Sequence, residues 1–172
     1  MISLENNRAQ RGFTLVELLI VVIILAILAA IIVPQFTAAT DDATQSAYDT
    51  NIANLRSAID LYRQQHQAYP GAVTSTGAGC PAGSANVPGA VGEPAFIAQL
   101  KSYTNAAGVA CTSTDATFRY GPYLKDDLPD NPLGAVPNNT VNVVATGILG
   151  LASGGTDGWR FDSVTGEFIG DE

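Results

Sequence analysis

Between Phe13 and Pro34 the only charged side chain is Glu17, and almost every residue around it is apolar. Transfer scales charge about 2.5–3.5 kcal/mol for an isolated acid at the centre of a membrane helix, so a carboxylate kept here has a use. The chemistry open to it is pairing with a positive group. Elsewhere the reactive inventory is short. The single histidine, His66, has no P-loop, nucleophile elbow or HExxH pattern with it, and it reads as a polar residue at the end of a surface helix, favoured there by the helix dipole. Cys80 and Cys111 are the only cysteines; a disulfide and a metal site are the two chemistries they allow. Carboxylates gather in Asp126-Asp127-Leu128-Pro129-Asp130-Asn131-Pro132 and again near Asp157, where oxygen ligands would suit calcium. No EF-hand run is present, and solvated turn carboxylates beside prolines account for the same residues. Nothing in this inventory makes an enzyme.

The element that positions Glu17 is a helix. The run from Leu18 to Val33 is unbroken and apolar, and Phe13 to Val33 as a helix would be roughly 30 Å long, enough to cross a bilayer. Arg8 and Arg11 precede it and Asp41 and Asp42 follow, which puts the N-terminus in the cytoplasm and the bulk of the chain outside. A cleaved secretory signal has a shorter apolar core, usually 7–15 residues. An uncleaved single-pass anchor is the other reading of the run. Beyond Pro34 the apolar period changes: Tyr48, Ile52, Leu55, Ile59 and Tyr62 recur at steps of four and three, the stripe of an amphipathic helix. One helix is expected from Phe13 to about His66, with Pro34 kinking it or loosening the turn before it.

Outside the apolar run the chain is rich in Ala, Gly, Ser, Thr, Asn and Pro, and the run itself inflates the mean hydropathy of +0.17. Roughly 130 residues remain for an external part, enough for one modest core. The net charge is −8, and loss of residues 1–12, which carry Arg8 and Arg11 against Glu5, would make the chain one unit more acidic. That charge argues against nucleic acid as a partner.

Gly12-Phe13-Thr14-Leu15-Val16-Glu17 behind a short basic leader resembles the cleavage and methylation signal of type IV pilins and type II secretion pseudopilins. The resemblance implies that a prepilin peptidase cuts between Gly12 and Phe13 and methylates the new amine of Phe13. Glu17 then meets the Phe13 amine of a neighbouring subunit in a filament, and Pro34 falls where many family members have a proline. It implies a leader over 1–12, a membrane-spanning and assembly segment over 13–36, and a periplasmic or extracellular domain over 37–172. It also implies partners: further copies of the chain joined through their N-terminal helices, an assembly ATPase and an inner-membrane platform protein. Before assembly the protein is expected as an inner-membrane precursor, N-in and C-out, and afterwards in the periplasm or at the cell surface. Tyr123-Leu124-Lys125 to Asn131-Pro132 and Gly158-Trp159-Arg160-Phe161 to Gly166-Glu167 look like the C-terminal region of G-type pseudopilins. Major pseudopilins have calcium sites in their C-terminal loops, but this chain departs from their acidic pattern, which leaves Asp126, Asp127, Asp130 and Asp157 as weak candidates.

In an exported domain the two cysteines are most simply a disulfide, with a zinc site as the rival that lacks histidine partners. A helix is expected over Pro94 to Tyr103, and short strands over Thr117 to Tyr120, Thr140 to Val144, Trp159 to Phe161 and Glu167 to Ile169. The last two should pair antiparallel across Asp162-Ser163-Val164-Thr165-Gly166. The expected fold is α+β and pilin-like, a long N-terminal helix packed on a small antiparallel sheet. Two functions follow from it: a structural subunit of a pilus or secretion pseudopilus, acting in secretion or in adhesion and motility, or a membrane-anchored module that binds a ligand outside the cell.

Overall fold

The computed structural model describes residues 12–134 and 138–171. The chain divides into two compact units with the boundary between Asp42 and Ala43. The expected leader lies, up to residue 11, outside the described residues.

The first unit holds the N-terminal part of helix α1, Leu15–His66, which continues through Pro34. Every side chain from Phe13 to Asp42 is exposed. The helix is long and apolar enough to cross a membrane, its most apolar stretch reaching a mean hydropathy of 3.4.

The second unit, Ala43–Glu172, carries the core. The stripe expected from periodicity is the buried face of α1: Ile52, Leu55, Ile59 and Tyr62 are buried, and Tyr48 is half-buried and stacked on Trp159 with ring centroids 5.8 Å apart. Arg56, off the stripe, donates from Nη2 to the Phe168 carbonyl at 2.7 Å and ties the helix to the sheet. α1 ends with Gln67 at φ 57°, whose N–H bonds to the Arg63 carbonyl at 2.8 Å and satisfies one of the last free carbonyls. Helix α2, Glu93–Lys101, starts on Pro94 in its first turn and buries Phe96 and Leu100. It stops short of the expected Tyr103, which opens a two-residue strand instead.

That strand, β1 (Tyr103–Thr104), pairs antiparallel with β2 (Ala110–Cys111). A three-stranded sheet follows in the order β3 (Val141–Val144), β4 (Trp159–Asp162), β5 (Phe168–Gly170). The α+β architecture is the one expected. β4 and β5 pair antiparallel, Phe161 opposite Phe168, across the expected turn. Gly166 closes that turn at φ 82°, and a Cβ there would fall 2.1 Å from the Tyr69 ring, so both conformation and space require glycine. The β3–β4 ladder is parallel, Val141 opposite Trp159. Its connection, residues 145–158, is an irregular loop of the length a parallel crossover needs. No strand forms over Thr117 to Tyr120 beyond one bridge, Thr104 to Tyr120. The reason is local: Asp115 accepts the N–H groups of Thr117 and Phe118, both at 2.7 Å, and so holds a turn where a ladder would have run.

Cys80 and Cys111 form a disulfide with Cα atoms 5.8 Å apart, fastening the Gly-rich segment before α2 to β2. A second fastening is Gln99, fully buried in α2. Its Oε1 accepts the Gly71 N–H at 2.8 Å, and its Nε2 donates to the carbonyls of Val73 and Gly108, both at 3.0 Å. Three of its hydrogen-bonding positions are thereby filled, which is what makes a buried amide affordable.

Candidate assembly site

Thr14 and Glu17 form a reciprocal pair at the start of α1. The Thr14 N–H and hydroxyl donate to Glu17 Oε2 at 2.9 and 2.8 Å, and the Glu17 N–H donates to Thr14 Oγ1 at 3.2 Å. This is a capping box, Thr at the cap and Glu three residues on, and it satisfies two donors that a helix start otherwise leaves free. It also puts a negative group in the first turn, where the helix dipole favours it. Thr-x-x-Glu ahead of an apolar run is the sequence signal of this box.

Gly12 and Phe13 lie before the first turn in irregular backbone, and both are exposed. A Cβ on Gly12 would meet nothing within 4 Å, so no contact in the described chain demands a glycine. Pro34 sits inside α1 without interrupting it. Three residues later the Thr37 hydroxyl donates to the Val33 carbonyl at 3.2 Å.

The weak calcium candidates are not brought together. Asp127 pairs with Lys101, Asp157 Oδ1 accepts the Thr140 hydroxyl at 2.9 Å, and Asp126 and Asp130 are exposed. Among the described residues no three His, Cys, Asp or Glu side chains are grouped so as to hold a metal ion. Three other carboxylates organise the 145–158 loop by accepting hydrogen bonds from it. Asp162 Oδ2 takes the N–H groups of Thr146 and Gly147 at 3.1 and 3.0 Å, while its Oδ1 takes those of Val164 and Thr165 at 2.8 and 3.2 Å. Glu167 Oε2 takes the N–H groups of Gly150 and Leu151 at 2.8 and 2.9 Å. Asp171 takes those of Gly154, Gly155 and Asp157. Burial alone would raise the Asp162 carboxyl, but the Thr146 hydroxyl and the surrounding N–H groups outweigh it and hold the group at about 2. Asp171 is lowered in the same way, its burial outweighed by the N–H groups of Gly154 and Gly155. The sequence placed acids near this loop, but which oxygen meets which N–H depends on the fold of the loop itself.

His66 is the last residue of α1, the helix-end position expected, and it is half-buried there. Its ring stacks on Tyr62 with centroids 4.1 Å apart, and Nε2 lies 3.0 Å from both the Tyr123 hydroxyl and Thr104 Oγ1. Burial pushes its pKa below 6.5, against a smaller opposing effect of the Ala106 backbone. It is a packing residue at the junction of α1 with β1 and the segment around Tyr123.

The family model described as "Prokaryotic N-terminal methylation motif" matches residues 7–33, the stretch that holds Gly12, Phe13, Thr14 and Glu17. Type II secretion system core protein G of Aeromonas hydrophila is 30% identical over 153 residues, which cover 89% of this chain and 87% of that protein. Core protein G of Pseudomonas aeruginosa is 43% identical over 65 residues, 38% of this chain and 46% of the relative, so this match spans under half of the relative's length. Type IV narrow pilus major component PilA5 of Thermus thermophilus is 45% identical over 60 residues, 35% of this chain and 52% of that protein. No solved structure matches the chain.

Proposed function

Because the chain belongs to the family of type IV pilins and type II secretion pseudopilins, we propose that it is a structural subunit of a helical filament assembled at the inner membrane. In this reading a prepilin peptidase cuts between Gly12 and Phe13 and methylates Phe13. The apolar half of α1 holds the precursor in the membrane with the second unit outside. Subunits then polymerise through their N-terminal helices, driven by an assembly ATPase and templated by a platform protein.

One observation carries the proposal. A carboxylate stands in the first turn of a helix whose next apolar residues, Leu18 to Val33, are all exposed in the isolated chain. Moving such a helix from lipid into a filament gains little hydrophobic free energy, since lipid tails are as apolar as leucine. Register must come from a polar group, and Glu17 is the one available: it would meet the Phe13 amine of the neighbouring copy. Pro34 would adjust the helix where copies pack, since its ring removes one backbone donor.

A secretion pseudopilus is the reading favoured by the match to a core protein G along most of both chains. A type IV pilus is favoured by the match of the N-terminal region to a pilus component. The test is electron microscopy of cells that express the chain with its own assembly machinery, using antibody against the second unit. Decorated filaments are expected; protein confined to the membrane fraction as monomer refutes the polymer. Loss of secretion without long surface filaments would select the pseudopilus.

A further inference from the structure

A calcium ion takes about six to eight oxygen ligands, drawn from carboxylates, backbone carbonyls and water. The resemblance to major pseudopilins implies such a site in the C-terminal loops, where this chain has the 145–158 connection between β3 and β4. The four candidate aspartates do not build one. Asp127 is paired with Lys101, and Asp157 accepts the hydroxyls of Thr140 and Thr156.

The carboxylates that do converge on the connection have donors, not oxygens, for neighbours. Asp162 is buried and accepts five hydrogen bonds, from the Thr146 hydroxyl and from the N–H groups of Thr146, Gly147, Val164 and Thr165. A carboxylate has about four lone-pair positions, so none is left over. Asp171, also buried, accepts the Ser153 hydroxyl and three N–H groups. Glu167 takes two N–H groups on one oxygen. At all three the backbone presents hydrogens, which carry partial positive charge, where a calcium site presents carbonyl oxygens. A cation placed on these oxygens would have to displace the N–H groups and then face their positive ends.

The anchors also meet the connection in order. Asp162 ends β4 and holds the start of the connection at Thr146 and Gly147; Glu167 precedes β5 and holds its middle at Gly150 and Leu151. Asp171 follows β5 and holds the end, from Gly154 to Asp157. The β4–β5 hairpin thus carries all three anchors. We infer that bonds from amides to carboxylates hold this connection in place of a calcium ion, with Asp162, Glu167 and Asp171 as its positioning residues, so that the second unit neither takes calcium there nor needs it. The bonds lie within one subunit, so this holds whether or not the chain polymerises.

The test is thermal melting and hydrogen exchange of the full chain in detergent, in calcium, in magnesium at the same concentration and in EDTA. Calcium at several millimolar exceeds the dissociation constants of weak extracellular modules, about 10⁻⁴–10⁻³ M. The melting temperature is expected to be the same in calcium and in magnesium, and the amides of Gly150, Leu151, Gly154 and Gly155 to exchange no faster in EDTA. A ligand that binds only the folded chain stabilises it, so a melting temperature several degrees higher in calcium than in magnesium, or exchange quickened by EDTA, overturns the inference. Glu167→Ala removes an acceptor and should quicken exchange at Gly150 and Leu151 about tenfold, whereas Glu167→Gln, whose carbonyl can accept both bonds, should keep the unmodified rates. Unchanged exchange in Glu167→Ala, equal loss in Glu167→Gln, or recovery of Glu167→Ala in calcium also overturns it. If Glu167→Ala does not fold, Glu167→Gln and the unmodified chain decide by the same comparison of calcium, magnesium and EDTA.

Discussion

Replacing Glu17 by glutamine separates the two uses that the geometry offers its carboxylate. In the free chain Glu17 caps the helix, and a glutamine carbonyl can accept the same two hydrogen bonds from Thr14. If capping were the whole role, Glu17→Gln would be silent and Thr14→Ala would be the damaging change, at about 1 kcal/mol for a lost cap. That is roughly a fivefold change in a local equilibrium. In the proposed filament the charge itself would be used against the Phe13 amine, and a buried charge left without its partner costs on the order of 3–5 kcal/mol. Glu17→Gln leaves the amine in that position, so the expected loss is at least a hundredfold in filament yield. Thr14→Ala should reduce yield only several-fold. Membrane insertion of Glu17→Gln should be no worse than that of the unmodified chain, because the substitution removes the one charged group of the span. The assay is the amount of chain recovered in sheared filaments against the amount in membranes. Unmodified yield from Glu17→Gln, with a severe loss from Thr14→Ala, would refute the charge argument and reduce Glu17 to a cap.

Other expectations concern the second unit. Cys80→Ser/Cys111→Ser opens a loop with a sequence separation of 31 and should cost about 3–4 kcal/mol, read as a lower denaturation midpoint with a steeper slope, since the unfolded chain is no longer cross-linked. Phe161→Ala, in a fully buried position between Phe96 and Phe168, should cost about 3–5 kcal/mol by the same measurement. For pH, His66 takes up its proton less readily folded than unfolded. Below 6.5 the unfolded chain therefore binds more protons, and stability falls as pH drops from about 7 toward the folded pKa; His66→Gln should flatten that slope. Asp162 and Asp171 give a separate loss of the same sign further down, beginning near 3.8 and, for Asp162, running to about 2; Asp162→Asn should weaken it in the same titration.

The features legible in the sequence are those set by local period and spacing. Ile52, Leu55, Ile59 and Tyr62 fall on one helical face whatever they pack against, and the segment from Asp162 to Gly166 makes its turn from its own residues. In the loop-rich middle, distant partners decide. β1 and β2 are two residues each, and β2 is held by a disulfide to Cys80 and a bridge to Asn86, neither visible as a strand pattern. The parallel β3–β4 ladder depends on a 145–158 connection folded by Asp162, Glu167 and Asp171, so its direction lay in side-chain-to-backbone bonds rather than in the strands. At the candidate assembly site Glu17 is legible by its cost in an apolar run, whereas the bonds of Thr14 to it are set by the geometry of the first helical turn. The helix-end position of His66 is legible, but its packing on Tyr62, Thr104 and Tyr123 is not, because two of these lie far along the chain.

The central claim, a subunit cut at Gly12 and polymerised from Phe13, is tested most directly by the intact mass of the chain recovered from sheared filaments. The account predicts a chain that begins at Phe13, carries one added methyl group and retains the Cys80–Cys111 disulfide. A chain that keeps Met1, or one that starts near Thr40 or is absent from filaments altogether, would contradict it and favour the membrane-tethered binding module instead.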